Sequence, residues 1–403
     1  MTKYLVKTSF LLSFLFLIAC QTVTEQQAHA KPPMAKPDNK YSSVKLEFSD
    51  TTGPEAQRII RSLDSFYKIQ VRTGFNGSVL VGYKGKILYE RYFGYANKEK
   101  GIVLGPESAS QLASTSKPFT ATAILWLNQN KYLDINEPVQ TYLKGFPYPN
   151  ITVKMLMEHR SGIPDYLKFA GKYWKNSEIK SNDDLLELFE KVKPRLNSQP
   201  DTRFEYSNSN FALLASVLEK VTKMPYAQFM KEFIFQPLGM NQTFVYEPSV
   251  VKPEKMAISY KNTWAREPDM FADGIHGDKG VFSTVEDMYR WDQSFYQQTL
   301  LNKKSQEMAY TGYSNEKPGI KNYGLGWRMM SYPSGYKVIF HNGWWHGNNT
   351  VFYRFIQDNF TIIVLGNKYN PKIYAQGKAV YGIVQSNSND NLEWEESGSP
   401  KGE

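Results

Sequence analysis

Ser114-Thr115-Ser116-Lys117-Pro118-Phe119-Thr120-Ala121-Thr122-Ala123-Ile124-Leu125-Trp126-Leu127 is the stretch from which the rest of the chain is read. Its first four residues spell S-x-x-K, and the run behind them is helix-competent. A spacing of three sets Ser114 and Lys117 on one helical face. Proline is tolerated near a helix start, where backbone N–H groups lack intrahelical partners, so Pro118 predicts a helix beginning at the serine. A serine hydroxyl is a poor nucleophile until a base takes its proton, and a lysine becomes that base when desolvation or neighbouring cations lower its pKa. A helix N-terminus beneath Ser114 would also favour a developing oxyanion.

The tetrad is cheap by itself, recurring at Ser42/Lys45, Ser65/Lys68, Ser177/Lys180, Ser249/Lys252, Ser314/Lys317 and Ser334/Lys337. Context selects Ser114, which heads a long amphipathic helix after a strand region and precedes two further elements. The first is Tyr206-Ser207-Asn208, in which a phenol relays a proton to a leaving group and an amide holds substrate or lysine. The same Y-x-N pattern at Tyr95, Tyr148 and Tyr260 lacks its setting between Pro200-Asp201-Thr202-Arg203-Phe204 and a helix opening at Ser209. Taken alone, one tyrosine among 27 would be read as an amphipathic core residue. The second is His341-Asn342-Gly343, the only H-x-G of the chain, expected directly after a strand. There Gly343 admits a substrate backbone, the Trp344 N–H joins that of Ser114 in an oxyanion hole, and His341 hydrogen-bonds substrate or Tyr206. Trp344, Trp345 and His346 are candidates for the pocket wall, with a core role as the alternative for the two indoles. His159 is read as a packing residue.

Gly77–Tyr83 and Ile87–Tyr92 flank a Lys84-Gly85-Lys86 turn and read as a hairpin, while Tyr336–Phe340, Thr350–Phe355 and Thr361–Leu365 give three more strands. Between them, Leu185, Leu188, Phe189 and Val192 keep a helical period, as do Phe211, Leu214, Leu218 and Val221. Strands at both ends and helices in the middle predict an α+β fold: one antiparallel sheet formed by both chain ends, flanked by helices, plus a mostly helical inserted lobe. The cleft between the two is the default place for chemistry.

At the N-terminus, Lys3 and Lys7 precede an apolar run from Phe10 to Ala19 that is short for a membrane span and suits a signal peptide. It ends in Leu17-Ile18-Ala19-Cys20, which looks like a bacterial lipobox, and Cys20 is the chain's only cysteine. The expected organisation is a lipoprotein signal peptide over 1–19, lipidation at Cys20, a flexible tether over 20–50, a hydrolase domain over 51–385 and a disordered polar tail over 386–403. Removing Lys3 and Lys7 leaves a mature charge of +7 from the formal +9. That excess is scattered, with no dense basic block interleaved with aromatics, so nucleic acid is not an expected partner. The membrane is, through the lipid, which places the protein at the bacterial cell envelope facing away from the cytoplasm.

The order S-x-x-K, Y-x-N, H-x-G resembles the serine β-lactamase-related family, which includes class C β-lactamases, penicillin-binding proteins, D,D-carboxypeptidases and family VIII esterases. The likeness extends to Phe75–Val79, Glu158–Tyr166, Phe235–Met240 and Gly280–Met288, in matching order. It implies a β-lactamase/transpeptidase-like fold and acylation of Ser114 by an amide or ester carbonyl, with Lys117 and Tyr206 shuttling protons and no cofactor or metal. Asn208, His341, Gly343 and Trp344 fall at substrate and oxyanion positions. Many relatives carry K-T-G as the third element, and this chain does not, so capture of a substrate carboxylate is expected to be weaker. A peptidase or esterase acting on D-amino-acid or peptidoglycan-derived substrates is therefore favoured over an efficient β-lactamase. A non-catalytic cell-wall-binding scaffold of the same fold is the alternative from another class. The chain has no G-x-S-x-G elbow and no H-E-x-x-H, which argues against an α/β-hydrolase or a zinc peptidase.

Overall fold

The computed structural model describes residues 34, 44–248 and 256–386. The expected signal peptide, Cys20, most of the expected tether and the tail from residue 387 onward lie outside the described residues. Within the tether range, residues 44–50 do carry structure: Val44 is buried, and the backbone of Glu47 and Ser49 bonds to Ile87.

Seven strands form an antiparallel sheet in the order β2-β1-β12-β11-β10-β9-β8. They are β1 (Gly77–Tyr83), β2 (Lys86–Phe93), β8 (Lys321–Tyr323), β9 (Arg328–Ser331), β10 (Lys337–Trp345), β11 (Asn348–Phe355) and β12 (Phe360–Gly366). The expected meeting of both chain ends is made by β1 on β12, with Gly77 opposite Gly366 and Tyr83 opposite Phe360. The β1–β2 turn is two residues long, and Lys84 and Gly85 both take positive φ, the geometry that matches the twist of a tight hairpin. Two short strands, β3 (Tyr95–Asn97) and β4 (Ile102–Val103), pair beyond β2, and β5 (Ser110–Gln111), β6 (Phe244–Val245) and β7 (Val281–Ser283) make a small second sheet.

The period of two along each strand separates two apolar faces. Val79 and Val81 of β1 and Ile362 and Val364 of β12 pack against helix α1 (Pro54–Arg72), through Ile59, Leu63 and Tyr67, and against the C-terminal helix, through Val380, Tyr381 and Val384. On the other face, Phe352 of β11 stacks on Trp291, which in turn stacks on Phe119 with ring centroids 3.7 Å apart. Trp291 belongs to the helix Val285–Tyr296 and Phe119 to helix α2 (Lys117–Gln129), so this aromatic column joins the sheet to the helical lobe. A buried ion pair reinforces the joint: Arg354 of β11 meets Asp292, which also accepts a hydrogen bond from Thr361. The lobe's centre holds α2 and α3 (Asn208–Thr222). Both are buried over most of their length, as helices apolar on nearly every side must be.

Candidate active site

Ser114 does not open the α-helix. It sits on a single 3-10 turn, Ala113–Ser116, that runs directly into α2 at Lys117. Ala113 takes φ +50, a left-handed conformation rare for a residue with a side chain, and it turns the chain from β5 into the nucleophile's turn. The 3-10 turn still brings residues three apart onto one face, and Lys117 Nζ lies 2.9 Å from Ser114 Oγ. The Lys117 side chain is fully buried. Its ammonium also donates to Asn208 Oδ1 at 2.7 Å and to the carbonyl of Asp278 at 2.9 Å, so its three protons have three acceptors.

Tyr206 precedes α3, and its hydroxyl lies 3.0 Å from Ser114 Oγ. Asn208, the first residue of α3, reaches Lys117 with its oxygen while its amide nitrogen donates to Asp165 at 2.9 Å. Burial pushes the Asp165 carboxyl above the usual aspartate range, opposed by the N–H groups of Asn208 and Leu167. The Tyr206 ring lies 4.3 Å from the His159 ring and is flanked by two cations, with Lys117 Nζ 4.9 Å and Arg328 Cζ 5.1 Å from its centroid. Cations so placed stabilise the charge that grows on a phenol oxygen as its proton leaves. His159 packs as expected: it is inaccessible to solvent, and its Nδ1 faces the Ser207 N–H and the Asn210 amide. Burial, and then the charges of Lys117 and Arg328, hold it well below the usual histidine pKa.

The third element is brought in by a strand, with one difference from expectation. His341-Asn342-Gly343 lies inside β10 and not after it, because the pairing with β11 continues to Trp345 opposite Asn348. Gly343 runs past the nucleophile's turn so closely that a Cβ there would stand 2.4 Å from the Leu112 carbonyl and 3.0 Å from the Ser114 nitrogen. Trp344 lines the small pocket over Ser114 together with Trp345. His341 is buried: its Nδ1 meets the Asn342 carbonyl, its Nε2 lies 3.4 Å from the Tyr323 hydroxyl, and it has no solvent exposure. Burial, with Arg328 and Lys117 nearby, depresses its pKa well below the ordinary value. The strand's alternation puts His341 on the same face of β10 as Gly343 and Trp345, the face toward the nucleophile's turn. His346 pairs with Asp273 at 3.0 Å, and that carboxylate also takes the Trp345 N–H at 2.7 Å.

Four neighbours escaped the sequence reading. Asp165 lies inside a segment already marked as family-like, and Asp278 and Lys279 directly precede another, so a signal existed for these. Arg328 had none, because it reaches Tyr206 only through the pairing of β9 with β10, Arg328 opposite Phe340. Among the described residues no group of three or more His, Cys, Asp or Glu side chains is placed to hold a metal ion.

A buried serine and lysine in contact with a partly buried tyrosine, at the seam between an antiparallel sheet and a helical lobe, define a class of serine acyl-transfer enzymes. The family model described as Beta-lactamase matches residues 69–382, and the chain belongs to that family of serine hydrolases. It is 35% identical over 317 residues to Penicillin-binding protein 4* of Bacillus subtilis (strain 168), covering 75% of this chain and 70% of the relative. A putative penicillin-binding protein, PbpX, of the same organism is 28% identical and aligns over 93% of both chains. The fold matches the crystal structure of a penicillin-binding protein from Bacillus halodurans with a TM-score of 0.69 at 23% identity, over 79% of this chain and 97% of that one.

Proposed function

We propose that the chain is a lipid-anchored serine hydrolase of the cell envelope that acts through an acyl-enzyme on amide or ester substrates, D-amino-acid peptides or esters among them. One observation carries the reading: Ser114 Oγ lies within 3.0 Å of both Lys117 Nζ and Tyr206 Oη, with Lys117 fully buried. Ser114 Oγ attacks the carbonyl carbon as its proton passes to the Lys117/Tyr206 pair, which in the reactive form holds one proton fewer than an ammonium and a phenol together. The C–O or C–N bond then breaks, and the leaving group takes that proton from Tyr206. Water attacks the acyl-enzyme with the same pair acting in reverse. Asn208 fixes Lys117, and Arg328 supplies the cation that His341 does not. The resemblance to penicillin-binding proteins supports an envelope location, and Cys20 with its lipobox supports the lipid anchor.

The test is intact-mass analysis of wild type and Ser114→Ala after exposure to a fluorophosphonate, p-nitrophenyl esters, a D-alanyl-D-alanine peptide and a penicillin. Wild type is expected to gain an adduct or turn over at least one substrate, and Ser114→Ala to lose this by roughly a thousand-fold or more. The protein purified from bacterial membranes is expected to begin at a diacylglyceryl Cys20. No adduct and no turnover would favour the scaffold reading, and a soluble unmodified N-terminus would remove the anchor.

A further inference from the structure

The buried Asp165 carboxylate is surrounded by N–H groups of amides. Its Oδ1 accepts from the Leu167 N–H at 3.0 Å, and its Oδ2 accepts from the backbone N–H of Asn208 at 3.3 Å and from the Asn208 side-chain nitrogen at 2.9 Å. Lys117 is a cation whose field reaches it, with the Asn208 amide between the two.

That amide has a direction. Its two ends are alike in shape and opposite in hydrogen bonding, and an ionised carboxylate only accepts, so Asp165 makes Asn208 present its NH2. The oxygen then faces the other way, onto Lys117 Nζ at 2.7 Å. An oxygen there accepts from an ammonium, whereas a reversed amide would offer N–H groups and suit only the neutral amine. Ser209 keeps the carboxylate in place: its Oγ accepts from the Tyr166 N–H at 2.8 Å and donates to the Pro164 carbonyl at 2.7 Å, fastening the residues on both sides of Asp165 to α3. The Tyr166 hydroxyl donates to Asp278 Oδ2 at 3.0 Å, and the Asp278 carbonyl also accepts from Lys117. One short segment, Asp165-Tyr166, thus bears on two of the acceptors of Lys117.

Resting on the hydrolase reading above, we propose that Asp165 is a positioning residue for acylation: acting through Asn208, it turns the amide oxygen onto Lys117 and favours the charged form of that lysine. It does so without lining the pocket over Ser114. The effect has a sign. Removing the carboxylate deletes a negative charge near Lys117 and releases the amide to reverse, and both changes help the Lys117/Tyr206 pair to lose a proton. The other charges around the pair are Arg328, beside Tyr206, and the Asp278–Lys279 ion pair, while His159 and His341 are held neutral. Asp165→Asn leaves all of these in place.

The experiment follows the rate at which a fluorophosphonate labels Ser114, from about pH 5 to about pH 10, in wild type, Asp165→Asn, Asn208→Ala and the double variant. Asparagine caps a helix N-terminus as aspartate does, so the Leu167 N–H keeps its acceptor. Asp165→Ser, another good cap but too short to reach Asn208, takes its place if Asp165→Asn does not fold. The acid limb of the rate profile is expected to move to lower pH by about one unit in Asp165→Asn. The plateau should fall about ten-fold or more, because Lys117 loses its oriented acceptor. In the Asn208→Ala background the same substitution should lower the plateau by less than about two-fold, the mark of a residue that acts through Asn208. An unmoved limb, even with a lower plateau, is what loosened packing alone gives, and it overturns the proposal. So does a limb moved to higher pH, or a plateau loss as large without Asn208 as with it. A wild-type serine that labels while the variants match it sinks this inference alone, whereas a wild-type serine that never labels sinks the hydrolase reading and this inference with it.

Discussion

Tyr206 is held by its ring and used by its hydroxyl. The ring packs on His159 between two cations, while the oxygen reaches Ser114. Tyr206→Phe keeps the first set of contacts and deletes the second, so it separates packing from proton transfer. We expect kcat/KM to fall by about 10²- to 10⁴-fold, the usual contribution of a positioned acid or base. The melting temperature should move by only a few degrees, and an undiminished rate would remove Tyr206 from the proton path. His341 shows the limit of single-residue reading. Its imidazole is held by Tyr323 and the Asn342 carbonyl, and the Tyr323 contact is set by the packing of β8 and not by the motif.

At the scale of elements, the site is a contact between a turn and a strand. The Ala113–Ser116 turn is tied to the sheet through Thr115 Oγ1, which donates to the His341 carbonyl at 3.2 Å, and through Thr350 Oγ1, which donates to the Leu112 carbonyl at 2.9 Å. Gly343 permits this approach, since a methyl there would fall within 2.5 Å of both the Leu112 carbonyl and Thr350 Oγ1. Gly343→Ala should therefore push β10 away from the nucleophile. Overpacking of this kind costs about 1–3 kcal/mol, to be read from denaturant unfolding, and ester turnover should fall with it. Stability and rate both unchanged would show that the strand does not hold the turn. The Arg354–Asp292 pair and the Trp291 column act at the same scale, fixing the helical lobe, with Lys117, on the sheet that carries Gly343.

Across the whole molecule, the buried histidines His159 and His341 weaken stability on the acid side. Both are held neutral in the folded state, mainly by burial, with pKa values well below the ordinary 6.5. The unfolded chain takes up these protons below pH 6.5 and the folded chain does not, so lowering the pH through that point favours unfolding. The loss is roughly 1.4 kcal/mol per pH unit for each histidine until its folded pKa is reached. Melting temperature should fall from pH 7 to pH 5.5, and a flat profile would mean that these imidazoles ionise inside the fold. The sequence by itself determined the hairpin, the three C-terminal strands, the central helices and Ser114, Lys117 and Tyr206 in order, because periodicity and short motifs are local. Only the tertiary structure decided which side chains complete the site. Asp165, the Asp278-Lys279 pair and Arg328 come from three separate segments. Sheet register and lobe docking fix such neighbours, and these follow from contacts among residues far apart in the chain.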